Sequence, residues 1–444
     1  MDALSVATPA RLRLAEVIAV GTELLVPPRL DTNSLFITSR LNDIGIEVRA
    51  KAVVGDRRDD LEACLRAALE RTELVVVCGG LGPTDDDLTR EAVAAVLALP
   101  MEEQADIAEG IRRRFAARGA RMPERNRRQA MVPAGAVVLP NEWGTAPGLW
   151  IERGGRVLIL LPGPPAELQP MFDRAVAERL APLAGGVPLA RRVLRVCGRT
   201  ESEVDEATSP VYSRWVTEEL PVTTTVLSSP GQIELHLAVR APSAEAAAAR
   251  LDGAASQLVD VLGADVVSTD GRVIEDVLGQ LLRERKWHVA VAESCTGGMI
   301  SARLTDVAGS SDYVRLNAVC YSNEAKTSVL GVPAALLADH GAVSEDVAVA
   351  MADGIRARAD AEIGIGVTGI AGPGGGTALK PVGTVVIAVT TAHRRLVRTF
   401  RFPPGRSRVR LYATQLALDL ARRVLLGQDP GGAFVYAPPS DVSS

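Results

Sequence analysis

A hydroxyl and a thiol stand side by side in Ala292-Glu293-Ser294-Cys295-Thr296-Gly297-Gly298. The residues before them, Trp287 to Val291, are short and β-branched, the pattern of a buried strand. Those after them, Met299 to Leu304, read as a helix that opens beyond the two glycines. A nucleophile on a tight strand-to-helix turn then faces the helix's unpaired N–H groups and positive dipole end. Ser294 or Cys295 beside an anion hole, with donors from Thr296, Gly297 and Gly298, is equipment for amide or ester hydrolysis. The simpler account is a turn in which Ser294 caps the helix.

A nucleophile needs a base, and histidine does not offer one. His236, His288, His340 and His393 all lie outside polar or glycine-rich clusters. A lysine does. The strand Leu316 to Tyr321 ends in Ser322-Asn323-Glu324-Ala325-Lys326, where Asn323 is a good N-cap and Lys326 falls in the first helical turn. A lysine there, away from water, is poorly stabilised as a cation, so its pKa falls and it becomes a usable base. A third strand, Ile363 to Thr368, runs into Gly369-Ile370-Ala371-Gly372-Pro373-Gly374-Gly375-Gly376, a run suited to close ligand approach or a mobile lid. Arg406 precedes the final helix, Val409 to Leu426, where a guanidinium and free N–H groups together suit a phosphate. Arg408 and Arg410 compete for that role, as does structural pairing. Ser294, Tyr321, Lys326, Thr368 and an arginine thus come from strand ends that meet on one sheet edge.

The elements that position these groups follow from periodicity. Residues 14 to about 175 alternate strands and helices, the βαβ rhythm of a parallel sheet covered on both faces. Two loops lie at its carboxyl ends: Gly21-Thr22-Glu23-Leu24-Leu25, closed by Asp31-Thr32-Asn33-Ser34, and Gly79-Gly80-Leu81-Gly82-Pro83-Thr84-Asp85-Asp86-Asp87. Glycines there suit a phosphate, and the adjacent carboxylates suit a hard cation such as Mg²⁺, or they merely cap the next helix. Neither a Walker loop nor a dinucleotide fingerprint is present. Residues 186–270 are a small α+β unit with one cleanly alternating strand, Gln232 to Val239, and an Ala-rich helix from Ser243 to Leu262.

Composition sets bounds. A chain of 444 residues needs two or three cores, and 47% hydrophobic with 23% charged residues describes a soluble globular protein. The net charge of -5 argues against nucleic-acid binding. Five scattered cysteines suit neither zinc nor disulfides and point to a reducing cytoplasm. No run is long enough for a membrane span.

The two N-terminal loops, with Asn126-x-x-Gln129-Ala130-x-x-Pro133-x-Gly135, Asn141-x-x-Gly144-Thr145-Ala146-Pro147-Gly148 and Leu161-Pro162-Gly163-Pro164-Pro165-x-Glu167, resemble the first domain of the CinA family (competence/damage-inducible protein A). One segment departs: Val26-Pro27-Pro28-Arg29-Leu30 stands where that family has a Gly-Gln-containing loop. Ala292 to Gly298, Tyr321 to Lys326, His340-Gly341-Ala342-Val343-Ser344 and Thr368 to Pro373 resemble the family's C-terminal domain. The resemblance implies two three-layer α/β domains with mostly parallel sheets, joined by a small α+β domain of KH-like topology. The expected bounds are 1–180, 186–270 and 272–430, with a disordered tail over 431–444.

The resemblance also implies activities. The C-terminal domain is expected to convert nicotinamide mononucleotide to nicotinate mononucleotide and ammonia, in NAD salvage, without a metal. Catalysis falls to Ser294, Lys326, Tyr321 and Thr368, and substrate binding to Thr296, Gly297, Gly298, Gly369, Gly372 and Arg406. The N-terminal domain, with a molybdopterin-binding-like fold, is expected to be an ADP-ribose pyrophosphatase needing Mg²⁺, Mn²⁺ or Co²⁺. Its site comprises Glu23, Asp31, Asn33, Gly80, Gly82, Thr84, Asp86 and Asp87, the last two holding the metal. The partners are pyridine nucleotides and ADP-ribose, with no nucleic acid or membrane, and a homodimer is expected. The alternatives are a nucleotide-binding regulatory protein and a molybdopterin-related nucleotidyl transferase.

Overall fold

A computed structural model describes residues 11–429, and the tail expected over 431–444 lies outside them. Two compact units divide the chain, one running to Ala190 with Arg240–Ala244, the other Arg191–Val239 with everything from Glu245 on. The α+β segment thus clusters largely with the C-terminal domain.

In the first unit the strands are β1 (Leu14–Val20), β2 (Glu47–Val54), β3 (Leu74–Cys78), β4 (Met101–Glu103), β5 (Met131–Pro133), β6 (Val137–Leu139), β7 (Gly148–Arg153) and β8 (Arg156–Leu161). Six form one sheet in the order β2-β1-β3-β8-β7-β6, while β4 and β5 pair separately. The first four of that order run parallel; β7 and β6 are antiparallel. Alternate residues feed two cores. Val17, Val76 and Ile159 pack with helices Asn33–Asp43 and Pro165–Ala175 on one face, and Ile18, Val77 and Leu160 with Arg58–Arg71 and Thr89–Leu97 on the other. Uninterrupted β-branched runs are what strands buried on both faces require.

The second unit begins with β9 (Leu189–Cys197), β10 (Val222–Ser229), β11 (Gln232–Arg240) and β12 (Val266–Ser268), a sheet in the order β10-β11-β9-β12. Along β11 every second residue is buried, as its alternation predicts. The last sheet comprises β13 (Val289–Glu293), β14 (Val314–Val319), β15 (Ile363–Gly369), β16 (Thr384–Thr390) and β17 (Arg395–Arg401), ordered β14-β13-β15-β16-β17. The first three of that order run parallel and the last two antiparallel. β13 and β14 each sit about two residues away from the expected strands, because the ladder register rather than the local apolar run sets their ends.

Glycines bring helix Glu345–Ala359 onto this sheet. A Cβ on Gly366 would lie 2.7 Å from the Ala352 nitrogen, so the helix backbone rests directly on β15. The glycine loop beyond β15 also has backbone reasons that the sequence did not show. Gly372 and Gly375 take positive φ of 83° and 85°, and a Cβ on Gly369 would lie 2.7 Å from Val385. No described helix is long and apolar enough to cross a membrane.

Gly366→Ala should therefore cost roughly 1–3 kcal/mol, since two backbones must separate. Gly374→Ala, with nothing within 4 Å of the new methyl, should change stability by less than about 0.5 kcal/mol. Thermal melts of the two variants check the contrast.

Candidate active site

Register brings the second unit's site together. β13 pairs Glu293 with Val319 on one side and with Val367 on the other. The next residues, Ser294, Cys320 and Thr368, are therefore neighbours at the carboxyl edge. The ladder continues one step further, with Ser294 N–H donating to Val367 O at 3.0 Å and Cys320 N–H to Glu293 O at 2.8 Å. Helix Asn323–Leu330 starts just beyond β14. Its N-cap is Ser322, whose hydroxyl accepts from Ala325 N–H, and Asn323, expected as the cap, is the first helical residue.

Lys326 is 2% exposed and its Nζ lies 3.3 Å from Ser294 Oγ. Nζ also donates to the backbone carbonyl of Tyr321 at 3.2 Å. Among the described residues no carboxylate pairs with it. Burial holds its pKa below the usual 10.5, because the ammonium loses water and gains no counter-ion. A neutral amine at that distance can accept a proton from the serine while still donating to the carbonyl.

The Tyr321 hydroxyl is not bonded to Lys326. The ring is exposed, and its oxygen accepts from Arg406 Nη2 at 3.1 Å instead. Arg406 Nη1 donates to Gly372 O at 2.9 Å, so the two residues bridge the rim of a cavity. That cavity, about 190 Å³, is lined by Ser294, Tyr321, Lys326, Thr368, Gly369 and Arg406, among others. Thr368 is buried and donates to Ala342 O at 2.7 Å, which orients its hydroxyl. Arg408 is exposed. Arg410 turns the other way, donating to Thr296 O from Nε at 3.2 Å and Nη2 at 2.9 Å.

The expected anion hole is corrected by the structure. Gly297 N–H donates to Ser294 O at 3.1 Å, and Gly298 N–H to the Glu293 carboxylate at 2.9 Å. Two of the three proposed donors are therefore already committed. Among the described residues, the N–H groups of Thr296 and Cys295 meet no acceptor on another residue. Cys295 also lines the cavity, but it packs with the core cluster under the sheet, and burial pushes its thiol pKa up to about 12. A buried neutral thiol is a poor nucleophile, which separates it from Ser294.

The first unit holds two cavities at strand ends. One, of about 320 Å³, is lined by Glu23, Asp56, Gly80, Gly82, Asp86, Asp87 and Glu167, among others. The other, of about 650 Å³, takes Glu23, Arg29, Asp31, Asn33 and Cys78. Sequence patterns missed Asp56, a single carboxylate without a flanking motif, and gave Glu167, the last residue of the Leu161–Glu167 motif, no place in the site. Thr84 lines neither cavity. Of the two residues expected to hold a metal, Asp86 lines the first cavity, while Asp87 does not fit the role. Both oxygens of Asp87 are turned onto their own loop, accepting from Gly82 N–H at 2.7 Å and from Thr84 N–H and hydroxyl at 2.8 and 2.5 Å. Asp85 pairs with Arg128 at 2.9 Å. Among the described residues no three His, Cys, Asp or Glu side chains gather as a metal set. The acidic run shapes its loop.

A buried serine beside an unpaired buried lysine, at the strand ends of an α/β unit fused to a second α/β unit, defines the class of protein. Residues 16–182 match the family described as "Probable molybdopterin binding domain", and residues 272–425 the CinA C-terminal domain. A CinA-like protein of Koribacter versatilis is 45% identical over 417 residues, covering 93% of this chain and 100% of its own. One from Solibacter usitatus is 43% identical over 414 residues, covering 93% and 99%. A solved competence/damage inducible protein from Agrobacterium tumefaciens shares 40% identity over 34% of this chain and 95% of its own, with a TM-score of 0.33. The chain belongs to the CinA family.

Because Lys326 must be neutral to act, Ser294 reactivity should rise with pH through a midpoint below 10.5. Folding stability should rise over the window between that lowered pKa and the unfolded value, where the unfolded chain binds more protons. A rate profile of Ser294 phosphonylation, compared with Lys326→Met, checks it; a midpoint at or above the ordinary lysine value would contradict the geometry. Iodoacetamide near neutral pH should leave Cys295 unmodified, as read by peptide mass.

Proposed function

We propose that the second unit is a nicotinamide mononucleotide deamidase that works through a seryl ester, in NAD salvage. The observation that carries this is the Lys326 nitrogen 3.3 Å from the Ser294 oxygen, buried and without a carboxylate partner. Lys326 takes the Ser294 proton as Oγ attacks the carboxamide carbon. The substrate's pyridinium charge draws electrons from that carbonyl and eases the attack. The oxyanion collects on the Thr296 and Cys295 N–H groups. The C–N bond then breaks, the lysine returns its proton to the leaving nitrogen, and ammonia departs. Water repeats the sequence on the ester and releases nicotinate mononucleotide. Thr368 orients the substrate, and Arg406 exchanges its Tyr321 and Gly372 partners for the 5′-phosphate.

For the first unit, the two cavities support binding of a diphosphate nucleotide such as ADP-ribose. No hydrolytic step is assigned, because both oxygens of Asp87 are held by its own loop. Calorimetry with ADP-ribose, with and without Mn²⁺, tests binding, and AMP release tests turnover.

Ser294→Ala and Lys326→Met should each lower ammonia release from nicotinamide mononucleotide by about 10³-fold or more. Arg406→Gln should act chiefly on KM, raising it about tenfold or more, since the phosphate contact is the same in ground and transition states. Wild-type ammonia release by Ser294→Ala would overturn the assignment.

A further inference from the structure

The Glu293 carboxylate is wholly buried and accepts four hydrogen bonds. Oε2 takes Gly298 N–H at 2.9 Å and Ile300 N–H at 3.2 Å, while Oε1 takes Ser301 N–H at 2.9 Å and the Ser301 hydroxyl at 2.5 Å. Among the described residues no Lys, Arg or His pairs with it. A buried anion without a cation is costly. Here the start of helix Met299–Asp306 stabilises it, since three otherwise unpaired N–H groups and the dipole point at it.

On the other side of the turn, the Arg410 guanidinium holds the Thr296 carbonyl through two N–H groups. Gly297 sits between, at φ 61°, where a Cβ would lie 3.2 Å from Arg410 Nη2. A carboxylate from the preceding strand and a guanidinium from the final helix therefore grip the turn that carries Ser294. Once these bonds are made, the Cys295 and Thr296 N–H groups are the ones left without an acceptor on another residue.

We propose that Glu293 and Arg410 are positioning residues for acyl transfer at Ser294. The carboxylate fills the helix N-terminus, closing it to substrate, and the guanidinium fixes the Thr296 peptide. Together they hold the Cys295 and Thr296 N–H groups for the oxyanion. The proposal rests on Ser294 as the nucleophile and does not depend on which carboxamide it attacks.

The experiment reads Ser294 itself in the full chain. A fluorophosphonate forms an Oγ–P bond and expels fluoride while the serine proton passes to Lys326, and intact-protein mass gives the rate. Ammonia release from nicotinamide mononucleotide and thermal melts run beside it. Glu293→Gln, which keeps the shape but places an NH₂ against N–H donors, should slow labelling and kcat by about 10²-fold with KM changed less than about threefold. Arg410→Met should do the same. Arg410→Lys should recover about tenfold of that loss, because an ammonium still donates to the Thr296 carbonyl. If Glu293→Gln does not fold, Ser301→Ala removes one of the four donors and should slow labelling about threefold or more. Labelling within about twofold of wild type in a folded Glu293→Gln or Ser301→Ala chain overturns the proposal. So does an Arg410→Met loss that Arg410→Lys does not relieve. A wild-type chain that labels at Ser294 but releases no ammonia refutes the nicotinamide substrate alone, and the labelling series still decides the positioning role.

Discussion

A primary amine enclosed with a serine and denied a counter-ion is the constraint on which the second unit turns. In water Lys326 would be a cation and no base. Burial at 2% exposure removes the solvent that would keep it so, and the one strong acceptor it meets, the Tyr321 carbonyl, is neutral. The fold must then supply enough apolar packing to hold a lysine there. It does so with strands whose buried positions are mostly Ala, Val and Ile.

Holding the amine in place depends on backbone contact more than on side chains. Gly364 and Gly366 let helix Glu345–Ala359 lie against β15, and β15 carries Thr368 beside Ser294. The final helix, Arg406–Leu426, contributes at both ends. Arg406 and Arg410 reach the site from its first turns. Nearer its C-terminal end, buried Asp419 pairs with Arg422 and Arg423, and Arg423 also meets Asp265 at 2.7 Å. These charges tie the helix to the turn before β12, the edge strand of the small sheet. Removing one member of such a buried network strands the others, so the helix carrying two site arginines is anchored far from the chemistry. The α+β segment is thereby part of the scaffold around the site rather than a loose spacer.

The two units treat acidic residues differently. In the first, three consecutive aspartates look like one metal set, yet Asp87 is tied to its own loop and Asp85 is paired with Arg128, which leaves Asp86 to face the cavity. In the second, the one glutamate in the nucleophile motif looks incidental and is instead the cap on the helix that follows it. A carboxylate's role is set by which donors the backbone turns toward it, and adjacency in sequence does not report that.

Much was legible without coordinates. The strand-to-helix turn at Ser294, the lysine in the first turn after the next strand, the parallel order and the family likeness follow from periodicity and local motifs, because alternation and capping act within a few residues. What only the folded chain decided are relations across long separations. The ladder register set Ser294 beside Thr368, Lys326 came within reach of the serine oxygen, and Tyr321 met Arg406 rather than Lys326. The Gly297 and Gly298 amides proved to be engaged already. The first and third depend on partners that are distant in sequence, Tyr321 and Arg406 being 85 residues apart, and the glycine amides on how the turn folds back on its own strand; tertiary packing and desolvation determine both.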